Sequence, residues 1–402
     1  MKTANLFIAG QFDDALLYMG RLLVFTARRS LLVWDIDQLA DQVTARLPQC
    51  GAMPTFMFAR NDWFDTPATQ RLLNDEATLR LLTAQMDAFP NILEMKDASP
   101  LQQLDLPGVH GPLLDVGAYW GRLYVGTTVG LFHVDLEWES DRRLSPYDSE
   151  KRLEGRCLHI SVGFGAVCAS CGDDGLFFKT DEFGWLNRPA QEFRHYSVRS
   201  LRTEWLGANL VNYSSPTEFK FIGTDTENRG RVREQGNALD ERRVPEARRV
   251  IVFVEGPQEL NYLTDLLGVR PDDIQFAYNS ADRFFINTTS GEMIQLSLKR
   301  RRKKGLPKPA GVEHYEAGPT QVLSAHSTSV GVVFETESSV VLFSRGSWRP
   351  IITSPVLSVR TFQRSIRYRQ LVATTMSEGV LLTGLFDDEP YWHPERKEAV
   401  ES

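Results

Sequence analysis

The sequence predicts an all-β chain: a seven-bladed β-propeller closed by its own N-terminal strand, with a small helical insertion after the first repeat. Three observations predict it. The stretch "RLYVGTTVGLFHVDLE" at 122–137 repeats the grammar of "RLLVFTARRSLLVWDID" at 21–37. Further copies of that grammar recur at a steady spacing. The last copy stops one strand short, while an orphan strand precedes the first.

At 122 the phrase reads as a polar turn, Arg122, a short apolar strand, a tight turn at Thr128, and a second apolar strand ending in an acidic residue: two short antiparallel strands joined tightly. Further units start with "FGAVCASCGDDGLFFKTDE" at 164, the more divergent "GANLVNYSSPTEFKFIGTD" at 207, "DRFFINTTSGEMIQLSL" at 282, "TSVGVVFETESSVVLFSR" at 328 and "YRQLVATTMSEGVLLTGLF" at 368. Short apolar runs such as "ALLYMG", "LLDVGAY" and "CLHISVG" come before them, which makes three strands per unit. With Leu131, Leu176, Phe219, Met293, Val340 and Val380 taken as equivalent, the steps are 45, 43, 74, 47 and 40 residues. That spacing is near the roughly 40–50 residues of a four-stranded blade. The fourth strand falls in the variable stretch after each unit. Counting the member at Leu31 there are seven units, and since one such unit cannot bury both faces, radial stacking is the economical solution.

Closure follows from the ends. The strand from Leu6 to Phe12 is assigned to the last blade as its outer strand, which removes an open edge.

The phrasing resembles the WD40/YVTN-like propeller superfamily, and "LYVGTTVGLFHVD" in particular looks like the two-component-regulator type of repeat. "VWD" at Val33 to Asp35 is similar to the end of a WD40 repeat, and "TDEFGW", Thr180 to Trp185, to the Asp-box turn of sialidase-like propellers. The resemblance covers most of the chain and implies the architecture.

Residues 1–402 therefore read as a single propeller domain interrupted twice. The stretch 38–110 is a mostly helical insertion: "IDQLADQVTARL" places Ile36, Leu39, Val43 and Leu47 on one helical face, and Thr66 with Pro67 reads as an N-cap and first helical residue. It serves either as a lid over one end of the ring or as a partner-binding device. Ile92 to Met95 within it is expected to supply the first blade's outer strand. The stretch 226–249 is dense in both charges and reads as a mobile surface loop. After it, "RVIVFVEG" reads as an outer strand, and "PQELNYLTDLLG" as a short helix between Pro257 and Gly268.

Bulk composition narrows the function classes. A net charge of −7 over 402 residues argues against a surface built throughout for nucleic acid. No apolar stretch is long enough to span a bilayer, the amino terminus is unlike a signal peptide, and four cysteines do not form a disulfide framework. The expectation is a cytoplasmic protein with no membrane contact.

The sharpest local feature is the basic run Lys299, Arg300, Arg301, Arg302, Lys303 and Lys304, followed by Lys308. It is either a solvated linker or a contact for phosphates or an acidic protein. "CASC", Cys168 to Cys171, has metal-knuckle spacing, but on a strand residues three apart face opposite sides, which favours packing, with Cys157 a third small buried residue. His133, His159, His195, His314 and His326 are scattered over different units, although a propeller gathers residues from every blade at its axis. The acidic unit ends Asp35, Asp135, Asp181, Asp225 and Asp387 read as caps of the turn after the third strand rather than catalytic carboxylates. Arg360, Arg364, Arg367 and Arg369 lie close in sequence. No catalytic motif, metal set or cofactor fingerprint stands out, so the expected function is a non-catalytic interaction scaffold in a cytoplasmic complex, with one or more protein partners. The alternatives are an enzyme or ligand binder using the axial channel, and a nucleic-acid accessory protein acting through the basic run.

Overall fold

In the computed structural model the chain forms seven small sheets, antiparallel but for one parallel edge pair, which make a seven-bladed β-propeller. The structure describes all residues except 28–29, 140–142, 164–165, 181–192, 207–208, 229–248, 259–266, 281–282, 300–307, 317, 320 and 389–402. Two compact units make up the chain: Met1–Pro107 with Leu136–Tyr147 and Gly318–Ser402, and Gly108–Asp135 with Asp148–Ala317.

In the first unit, blade 1 comprises Phe12–Tyr18, Arg21–Thr26, Ser30–Asp35 and Gln102–Asp105, and blade 6 comprises Val322–Ser327, Val332–Thr336, Val340–Ser344 and Ser347–Ile352. Blade 7 has Ser358–Thr361, Leu371–Met376 and Gly379–Phe386 from the C-terminal part of the chain and takes Lys2–Ala9 as its fourth strand. That pairing runs antiparallel from Lys2↔Phe386 to Ala9↔Gly379. It buries Ala4, Leu6 and Ile8, the period-2 face expected of a half-buried strand. The ladder carries on one step to Gly10, whose N–H donates to the Glu378 carbonyl (2.9 Å), and it stops short of Phe12 because Phe12 already starts blade 1.

Three helices follow blade 1's third strand: α1 (Ile36–Arg46), α2 (Pro67–Leu73) and α3 (Glu76–Asp87). Asp35, Thr66 and Asp75 cap them, each accepting from first-turn N–H groups. The apolar face predicted for α1 is buried at Ile36, Leu39 and Val43, whereas Leu47 is the C-cap. A π-helical turn, Thr55–Ala59, packs so tightly on blade 7 that a Cβ at Gly384 would sit 2.9 Å from Met57. Asn61, 1 % exposed, fastens the same contact: its amide donates to the Phe56 and Met57 carbonyls (2.6 and 2.8 Å), and its oxygen accepts from the Gln370 N–H (3.2 Å).

The outer strand of blade 1 is Gln102–Asp105, not Ile92 to Met95. Leu93–Glu94 instead runs parallel to Leu6 and Phe7 as a fifth strand of blade 7. The cause is upstream: α3 returns the chain beside the N-terminal strand, where Lys2 pairs with Asp87 and Asn5 donates to the Asn91 carbonyl (2.8 Å). Residues 93–94 therefore meet Phe7 first.

In the second unit, blade 3 comprises His159–Gly163, Ala166–Ser170, Leu176–Thr180 and Arg194–Tyr196; blade 4 comprises Arg202–Leu206, Asn209–Tyr213, Phe219–Asn228 and Arg249–Gln258; and blade 5 comprises Ile274–Ser280, Arg283–Thr288, Glu292–Lys299 and Lys308–Glu316. Blade 2, whose residues divide between the two units within its third and fourth strands, is Leu113–Tyr119, Arg122–Thr127, Gly130–Trp138 and Leu144–Glu154. "RVIVFVEG" lies within blade 4's outer strand, as read from the sequence. The helix expected from "PQELNYLTDLLG" does not start at Pro257, because Pro257 and Gln258 end that outer strand; its middle, 259–266, and nearly all of the charged stretch 226–249 lie outside the described residues. Among the described residues no helix is long and apolar enough to cross a membrane.

Candidate functional site

The repeated phrase has a physical basis. Arg21 stands directly opposite Asp35, and Arg122 opposite Asp135, each pair at the open end of the second and third strands. Both close as ion pairs at 2.9 Å, the first almost fully buried. In the first, Asp35 also caps α1 through the Asp37 and Gln38 N–H groups, so its expected turn-capping role holds. Asp135 works differently, accepting from Arg122 and from His133 Nε2 (2.8 Å). Arginine carries no acceptor, so the Arg152 contact at 3.2 Å makes His133 Nδ1 the accepting nitrogen and leaves Nε2–H to donate. The His133 hydrogen bond, with Arg122 beside it, holds the Asp135 carboxyl down at about 2.

The likeness extends upstream of the phrase. Asp14 and Asp115 both precede the paired arginine by seven residues, and both sit at a bulge in the first strand of their blade. Each turns back to the next N–H of its own strand, at 2.8 and 2.9 Å. The remaining capacity reaches the adjoining blade within its unit: Asp115 accepts from the Ile160 N–H (2.5 Å), and Asp14 from Ser358 Oγ (2.8 Å) and the Arg360 guanidinium. These aspartates were legible as a shared spacing that the sequence reading passed over.

Asp14 belongs to a polar cluster on the first and second strands of blades 6, 7 and 1. Glu335 shares the field of Arg360 and Asp14, and burial pushes its carboxyl up. Ser324 Oγ stands 2.5 Å from Glu335 Oε2 and 2.6 Å from His326 Nε2. Since the hydroxyl gives its one proton to the carboxylate, it accepts from the imidazole N–H. That polarity is the reverse of the one in which histidine strips a nucleophile.

A second shared feature stands at the turn between first and second strands. Met19-Gly20 and Trp120-Gly121 both have positive φ at each residue, +47°/+85° and +55°/+74°. This is the two-residue hairpin geometry that Asn-Gly fills most readily. An apolar side chain occupies the first position instead, and Met19 and Trp120 are 54 % and 53 % exposed. In the first unit the neighbouring turn of blade 7 abuts this one: a Cβ on Gly20 would lie 3.2 Å from the Arg367 guanidinium, and Ile366, 66 % exposed, immediately precedes that arginine. Arg345-Gly346 repeats the backbone geometry between the third and fourth strands of blade 6. There the strained residue has an internal task, binding buried Asp387 at 2.7 Å beside a polar cavity of about 100 Å³.

The other expected residues are dispersed. Lys299 ends the third strand of blade 5 in register with Lys308, so the basic run connects two strands, and 300–307 lie outside the described residues. Asp181 and the "TDEFGW" turn beyond Thr180 also lie outside them. Asp225 sits within blade 4's third strand, in register with Val252. Arg360 and Arg367 bind different carboxylates, Asp14 and Asp37. His195 donates its Nε2–H to the Asp174 carbonyl and stacks on Phe177, His314 pairs with Glu292, and among the described residues no three potential ligands converge on a metal position. Cys168 and Cys171 enter different cores, as their strand spacing requires.

No family model matches the chain, and no curated protein matches it either. Among solved structures it is similar to the Neurospora crassa Pan2 WD40 domain, with 7 % identity and a TM-score of 0.44 over 98 % of both chains. It is also similar to the computationally designed Ika8 protein, with 8 % identity and a TM-score of 0.43 over 94 % of this chain and 99 % of that one.

Proposed function

We propose that this chain is a non-catalytic protein-interaction scaffold, a subunit of a cytoplasmic complex, and that its first hairpin turns contact a protein partner. The observation that carries the reading is the pair Met19 and Trp120. A non-glycine residue at positive φ costs about 1 kcal/mol, and more than half of each side chain still faces water. Backbone strain of this kind clusters at ligand clamps and contact sites. Ile366 adds a third exposed apolar group beside the Met19 turn. The reversed polarity of Ser324 weighs against hydrolytic chemistry on the first strands.

In this reading the run Lys299 to Lys304 forms a second, electrostatic contact with an acidic protein surface or with nucleic acid. Binding through it would weaken steeply as salt is raised.

The test is affinity capture of the tagged protein beside Met19→Asn, Trp120→Asn and Ile366→Ser, with nuclease and salt controls. A stoichiometric protein partner retained by the unaltered chain and lost from one or more variants that fold normally is the expected result. Recovery unaffected by all three changes would overturn the contact. Turnover of a defined small molecule by the purified protein, abolished at Ser324 or Glu335, would overturn the scaffold.

A further inference from the structure

Cys157 and Cys171 are both buried and belong to one apolar core between blades 2 and 3, packed with Tyr124, Leu131, Ile160 and Val167. The backbone brings them together. The Leu158 N–H donates to the Ser170 carbonyl at 2.8 Å, and Cys157 and Cys171 flank that hydrogen bond as diagonal neighbours. Both side chains enter that one core. Room for the Cys157 sulfur comes from blade 2: a Cβ at Gly126 would lie 3.1 Å from that sulfur and 3.0 Å from the Cys157 carbonyl oxygen. Cys168, three residues before Cys171, is not its partner: it lies in the opposite core with Phe178 and Trp205, as strand alternation predicts.

We propose that Cys157 and Cys171 are a thiol–disulfide exchange site that closes to an intramolecular disulfide when the protein meets a small disulfide such as oxidised glutathione. Cys171 is the entry point. It is followed by the surface turn Gly172 to Gly175, where both glycines have positive φ (+67° and +103°) and Asp173 and Asp174 are exposed. Reaction at Cys171 requires that turn to open against the paired backbone hydrogen bonds between Gly172 and Ser200 (2.7 and 2.9 Å); opened, it presents the Cys171 sulfur while Cys157 stays inside. The neighbouring Cys171 and burial push the Cys157 thiol up, whereas the neighbouring Cys157 brings the Cys171 thiol down, which matches a resolving role for the first and an attacking role for the second.

The exchange balances in two steps. Cys171 loses its proton and attacks one sulfur of the glutathione disulfide, breaking that S–S bond and releasing one glutathione, which takes the proton. Cys157 then loses its proton and attacks the Cys171 sulfur of the mixed disulfide, releasing the second glutathione, which takes that proton. Two protein thiols are oxidised and one small disulfide is reduced to two thiols.

The test uses the folded full-length protein. It is incubated with oxidised glutathione, blocked with an alkylating agent, digested without reductant and read by mass spectrometry. A Cys157–Cys171 linked peptide as the major product, with Cys50 and Cys168 alkylated, is expected, together with a melting temperature raised by several degrees and restored by reductant. A Cys171→Ser variant should lose the link, and Cys157→Ser should stop at the glutathione adduct on Cys171. The proposal fails if no link forms in the folded protein under conditions that oxidise the urea-unfolded chain, or if another cysteine pair predominates.

Discussion

Asp135 shows what the repeated Arg…Asp spacing does for a blade. Its carboxyl is held at about 2 against an ordinary 3.8, so its contribution to stability is fully present above pH 3.8 and is lost as pH falls through that value towards 2. We expect Asp135→Asn to cost about 1 kcal/mol at pH 7, after discounting a half-exposed group for solvent screening. The variant's stability should also vary less with pH between about 4 and 2. Urea unfolding of both proteins at pH 7, 4 and 2.5 checks this, and an unchanged acid limb would refute the assignment. At this scale the sequence was partly legible. Arg21, Asp35, Arg122 and Asp135 were visible as a repeated spelling because they serve the same strand ends. The Cys157–Cys171 contact was not, since it depends on how two connections fold back and no other blade repeats it.

Among the elements, the helical insertion is fastened to blade 7 through one side chain more than any other. Asn61 satisfies two carbonyls and one N–H of the main chain while almost completely buried. Asn61→Ala would leave those groups without partners, and we expect a loss of about 2–4 kcal/mol. Hydrogen exchange should quicken at the N–H of Gln370, and equal protection in both proteins would contradict the assigned role. Helix starts were readable because caps are local chemistry: Thr66-Pro67 marked α2. The break between α2 and α3 was less evident, although Asp75 caps the second helix by the same rule. Strand partnership was harder still. The apolar character of Ile92 to Met95 announces an extended segment, but which edge it joins is set by α3 and by Lys2 and Asn5, which are remote in sequence.

For the whole molecule, the period of the repeat and the orphan strand made the blade number and the closure readable before any coordinates were considered. Function was less legible, because contact residues at turn tips obey no period and betray themselves only through backbone angles such as those of Met19 and Trp120. Removing Lys2–Ala9 tests the closure. Burial of Leu6 and Ile8 alone is worth about 3–6 kcal/mol, and its loss would also bare the wholly buried strand Gly379–Phe386. We expect the truncated chain to self-associate, with rapid hydrogen exchange across 379–386, as read by light scattering and mass spectrometry. A stable monomer with native protection there would refute closure. The same pairing sets a timetable for the newborn chain. Ala9 leaves the ribosome first and must wait for Gly379, an interval of about 20–70 s at ordinary synthesis rates. Throughout that wait Leu93–Glu94 can cover one edge of Lys2–Ala9, while the edge meant for Gly379–Phe386 stays open to any passing strand until the last blade arrives.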